Sequence, residues 1–146
     1  MAEDKKKEEV KLTPEQQEEQ NRQKMYKFLL ETFGSTAPTA EKVTEWKGKY
    51  GRVRVLPLSD DEVYFIRPIK RIEYKALLAT AQTSGGDDPE TFLKETLVTR
   101  CLLWPVMDTA QFNDSLGGTI EALYTIVMDA SNFVSQDVLF TIARDL

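Results

Sequence analysis

A mainly α fold carrying one small β-hairpin is the class this sequence predicts, and three observations point to it. Apolar residues recur at helical spacing in four separate stretches between residues 70 and 146. The period drops to two only between Arg52 and Arg67, and proline or glycine punctuates most of the changes of pattern. The expected organisation is a disordered charged tail over 1–12, an extended N-terminal helix or arm over 13–34, and one helical domain over 39–146 that contains the hairpin at 52–67. A chain of 146 residues is the size of one ordinary domain.

The first twelve residues are almost entirely charged, with Lys5-Lys6-Lys7 followed by Glu8-Glu9, and offer too little apolar surface to offset the entropy of ordering them. Thr13-Pro14-Glu15-Gln16 then reads as a helix start, with Thr13 as N-cap, Pro14 in the first turn and Gln16 closing a capping box. This helix should run to about Phe33 and stop at Gly34. Its first three turns are polar, and apolar residues gather only near its end, at Met25, Tyr26, Phe28, Leu29, Leu30 and Phe33. Two readings stay open for it: a solvated, frayed helix, or an arm that docks through Met25, Phe28 and Leu29 on a partner subunit.

Ala40 to Lys49 forms a short helix with Val43 and Trp46 on one side. The β-branched and aromatic runs Arg52–Leu58 and Val63–Arg67 flank Ser59-Asp60-Asp61-Glu62, which makes a hairpin that needs a helix to pack on. Lys70 to about Thr83 carries Tyr74, Leu77, Leu78 and Ala81 at i, i+3, i+4, i+7. Asp88 then caps a helix whose inner stripe is Leu93, Leu97, Cys101 and Trp104, closed by Pro105. Phe92, Val98, Leu102 and Leu103 widen that stripe, so this helix should be the central one. A poorly patterned connection follows, with Phe112 and Leu116 expected to be pinned to the core. Ile120, Leu123, Tyr124 and Val127 then mark a helix over 119–132, and Val138, Leu139, Ile142 and Leu146 mark a last one from Ser135.

Composition narrows function by exclusion. The chain has no histidine, one cysteine and no glycine-rich phosphate loop, which removes the commonest general base, the commonest metal ligand and thiolate clusters together. The expectation is a non-enzyme with no cofactor and no metal. A net charge of -5 repels a phosphate backbone, so nucleic acid is not an expected partner. No run approaches the ~20 apolar residues of a membrane span and no signal-like segment opens the chain, so a membrane is not expected either.

Cys101, flanked by apolar residues, reads as a buried structural thiol. Asp87-Asp88 and Asp60-Asp61 fit a cap and a turn better than a cation loop, and nothing places Glu73 with Tyr74, or Glu95 with Lys94, in a cleft as an acid–base pair. The only local basic cluster outside the tail is Arg67, Lys70 and Arg71; with Arg52 and Arg54 on the neighbouring strand it offers a positive patch for an acidic partner.

Three fragments carry a family resemblance: Trp46-Lys47-Gly48-Lys49-Tyr50-Gly51, Phe65-Ile66-Arg67-Pro68 continuing to Glu73-Tyr74-Lys75, and Cys101-Leu102-Leu103-Trp104-Pro105. Over residues 43–133 the chain resembles tail assembly chaperones and baseplate-associated assembly proteins of tailed bacteriophages. The resemblance implies a non-enzymatic, protein-binding role in building a particle, with other tail or baseplate proteins as partners and a homo-oligomer left open. It implies the host cytoplasm as the location, with the virion as the alternative. A permanent neck, tail or baseplate subunit, and a small regulator that inhibits a host enzyme, are the competing readings.

Overall fold

A computed structural model describes residues 11–146, so the expectation for the charged tail lies almost wholly outside the described residues. The protein is mainly helical, with a small antiparallel sheet, and the described residues divide into two compact units with the boundary between Ala40 and Glu41.

In the first unit, helix α1 spans Pro14–Phe33. Its capping box forms as the sequence predicts: Thr13 Oγ1 accepts from the Gln16 N–H at 3.2 Å, and Gln16 Oε1 accepts from the Thr13 N–H at 3.0 Å. Side-chain pairs one turn apart, Gln17 with Asn21, Glu19 with Arg22 and Gln23, and Lys27 with Glu31, decorate its exposed length. Gly34 ends the helix at a φ of 77°, a backbone region that favours glycine, and donates its N–H to the Leu30 carbonyl. A single 3₁₀ turn, Gly34–Thr36, follows.

The second unit is built around helix α4. Helix α2 (Ala40–Tyr50) precedes strands β1 (Arg54–Ser59) and β2 (Glu62–Ile66), then come α3 (Arg71–Ser84) and α4 (Pro89–Cys101). Asp88 caps α4 by accepting from the Thr91 N–H at 3.1 Å. Helices α3 and α6 (Thr119–Ala130) both pack on α4, and α6 also meets β1. Leu97, Val98 and Cys101 of α4, Leu123 and Val127 of α6, Leu77 of α3 and Ile66 of β2 share the central core. The expected central position of α4 holds.

Three expectations are corrected. The helix does not reach Trp104: it ends at Cys101, and Leu102–Trp104 form a third strand, β3, paired antiparallel with β2. Pro105 disfavours helical backbone at the residue before it, and the second edge of β2 needs a hydrogen-bonding partner. The sheet order is β1-β2-β3, which puts β2 in the middle, and all four residues Val63–Ile66 are buried. Alternation explains why both faces are covered: Tyr64 and Ile66 join the helical core, while Phe65 meets the rings of Trp46 at 6.1 Å and Trp104 at 6.2 Å between centroids.

The second correction concerns the connection after β3. A one-turn helix α5 (Thr109–Phe112) forms there, capped by Asp108, whose carboxylate accepts from the Gln111 N–H at 2.8 Å. Phe112 is buried as expected, but Leu116 is 78% exposed and is not pinned to the core. Third, the last helix, α7 (Gln136–Ile142), does not repeat the core-packing device: every one of its residues is exposed. Val138, Leu139, Phe140 and Ile142 all face solvent to a large degree. Helical spacing alone marks an apolar stripe without saying what covers it.

Candidate protein-binding surfaces

Two arginines of the expected basic patch, Arg54 and Arg67, are taken up in internal ion pairs. Arg52 follows α2 and points to the end of α6, where its Nη1 donates to the Ala130 carbonyl and to Asn132 Oδ1, both at 2.9 Å. Asn132 has a φ of 70°, which asparagine tolerates, so Arg52 fixes the turn that closes α6. Arg54 on β1 pairs with Asp129 of α6. Arg67, just past β2, makes a two-pronged pair with Glu73 of α3 at 3.1 and 3.2 Å, and its guanidinium lies 5.0 Å from the centre of the Tyr50 ring. Arg52 and Arg71 are both exposed without an ion pair among the described residues, and Arg71 lies beside a cavity of about 240 Å³ with Tyr74, Asn132 and Phe133.

The three resemblance fragments converge on this same node. Tyr50 comes from the first, Arg67 and Glu73 from the second, and the Cys101 carbonyl of the third accepts the Arg67 backbone N–H at 2.9 Å. The same fragments also supply Trp46, Phe65 and Trp104, whose rings meet tilted and edge-to-face. These residues hold α2, β2, α3 and α4 together, so each has a structural task in this chain. The hydrogen bond from Arg67 holds the Glu73 carboxyl below the usual glutamate range, against the opposing effect of its partial burial. Burial pushes the Cys101 thiol up to about 11, which makes it an inert core group.

Of the residues named on α1, Leu29 is fully buried, Met25 is partly buried and Phe28 is 38% exposed. Leu29 therefore presents no side chain to a partner, whereas Leu30, beside it, is 60% exposed. Among the described residues no group of three or more carboxylates or cysteines is arranged to hold a metal ion, and no helix is long and apolar enough to cross a membrane.

Two surfaces with exposed apolar residues lay outside the sequence reading of candidate sites. One is α7, together with the half-exposed Phe133 ahead of it. The other is a groove on either side of Leu116, where a cavity of about 300 Å³ meets α4, α5 and α6 and a cavity of about 270 Å³ meets the hairpin turn. A large apolar residue between Ser115 and Gly117-Gly118, in a loop with no periodic partner, was the signal available for it. Searches against protein-family models, curated proteins and solved structures find no match to this chain.

Proposed function

We propose that this chain is a non-enzymatic protein-binding factor of tailed-phage tail or baseplate assembly, acting in the host cytoplasm as an assembly chaperone. The observation that carries the protein-binding half of this reading is α7. A helix of seven residues is too short to be stable in water by itself, and this one exposes Val138, Leu139, Phe140 and Ile142. Such a segment gains stability when a partner covers it, as amphipathic helices do in apolar grooves. The phage half rests on the sequence resemblance alone.

Mass spectrometry of purified particles beside the lysate of phage-producing cells, with this chain tagged, tests the proposal. The expected result is the chain in lysate, bound to a tail or baseplate protein and missing from particles. Stoichiometric recovery in particles would replace the chaperone reading with a permanent virion subunit. Capture of a host enzyme whose activity falls on binding would replace it with an inhibitor.

A further inference from the structure

We propose that the groove flanking Leu116 takes an amphipathic helical segment of a partner protein, one that carries apolar side chains on one face and lysine or arginine beside them. This deepens the protein-binding reading and rests on it, but not on the phage assignment.

The groove supplies apolar anchorage and room. On one side of Leu116 lie Phe112 and Ile120, on the other Leu58, itself 39% exposed. Gly117 and Gly118 follow Leu116, and a Cβ built on either would meet no atom within 4 Å, so a partner's backbone can come close there. Each cavity suits one or two large side chains, and the exposed Leu116 between them would insert between the partner's own anchors.

Charge selects the occupant. Glu95 and Glu121 line one cavity and Glu62 the other, with Asp60 and Asp61 preceding Glu62 in the hairpin turn. The one base in the lining, Lys94, is already held by Glu121 at 3.2 Å and Glu90 at 3.5 Å. Neither Glu62 nor Glu95 meets a basic side chain among the described residues. The local field is felt inside: the Tyr64 phenol is raised by burial first and then by the negative charges of Glu62 and Asp61. A mainly apolar cavity by the hairpin turn, a mixed one between α4, α5 and α6, and an acidic border complement an amphipathic basic segment and repel a phosphate chain. A second copy's α7 matches it poorly, because α7 and the residues after it carry Asp137 and Asp145 against Arg144 alone.

The test titrates the full chain with a fluorescent peptide of about 14 residues, leucine at i, i+3, i+4, i+7 and lysine elsewhere, and with a counterpart in which glutamate replaces lysine. Micromolar binding of the lysine peptide is expected, weakening with salt, with amide shifts at Glu62, Leu116, Gly117 and Gly118. Glu62→Lys with Glu95→Lys should weaken it about tenfold or more, and so should Leu116→Ser. Circular dichroism and thermal midpoints check that both variants fold. Equal binding of the glutamate peptide, no binding of either, or shifts confined to α7 would overturn the groove proposal. The last of these would leave the protein-binding reading standing.

Discussion

At the scale of single residues, Arg67 shows how a member of a basic cluster in sequence can be withdrawn from the surface by a partner. Arg67, Pro68 and Glu73 lie in one continuous stretch, and the sequence already held the partner six residues on; what spacing could not supply was the β2-to-α3 corner that folds Glu73 back. Replacing Glu73 by Gln removes the charge while keeping the shape, and leaves Arg67, whose side chain is 12% exposed, without its counter-charge. We expect a loss of about 1–3 kcal/mol in urea denaturation at pH 7. The pH dependence has a definite sign. Because the folded pKa of Glu73 is lowered, its contribution is full above the ordinary value of 4.5 and is lost as pH falls through the lower folded value. Wild type and Glu73→Gln should therefore converge in stability in acid, and a gap that stays constant down to pH about 3 would refute the pairing. Cys101 gives a second residue-scale test. With its thiol buried and its pKa near 11, it should resist a thiol reagent at pH about 8 and react at once in denaturant. Rapid labelling of the native chain would contradict its burial.

Elements were legible where a local device sets them. Thr13 and Gln16, Asp88 with Pro89, and the two-residue period of the hairpin each specify their element through bonds to nearby backbone, and the observed bounds of α1, β1, β2 and α4 follow them to within a few residues. Strand β3 was not legible, because Leu102-Leu103-Trp104 continues the apolar stripe of α4 and only the non-local demand of β2 for a second partner turns it into a strand. Helix α7 illustrates the reverse case, in which a correct period predicts an element but not its environment. Its exposure yields a contrast between elements. Leu97→Ala, in the fully buried centre of α4, should cost about 2–5 kcal/mol. Phe140→Ser with Ile142→Ser should change stability by no more than about 0.5 kcal/mol while abolishing any partner interaction that uses α7. A large loss of stability in the double variant would mean that α7 belongs to the core.

For the whole molecule, the candidate surfaces were less legible than the fold, since a surface is defined by what the fold leaves uncovered. Leu116 and Phe140 look in sequence like any other core leucine or phenylalanine, and only the packing of α4, α5 and α6 shows that both are left over. Gly34-Ser35-Thr36 and Pro38 interrupt the helical period, and the division between the two compact units falls between Ala40 and Glu41. Gly34, Ser35 and Thr36 are all exposed, whereas Ala37 and Pro38 are buried, so the turn after α1 is where a protease gains access to backbone. Mild digestion with a protease of broad specificity should cut first at residues 34–36 and leave a resistant fragment that begins there and runs through α6. The exposed α7 can be trimmed from that fragment without loss of its core, since Leu97, Leu123 and Val127 lie upstream of it. Intact mass of the fragment reads both ends, and its thermal midpoint tells whether the second unit folds alone. A fragment that unfolds as soon as the first cut is made would show that residues 41–146 do not fold without the segment ahead of them.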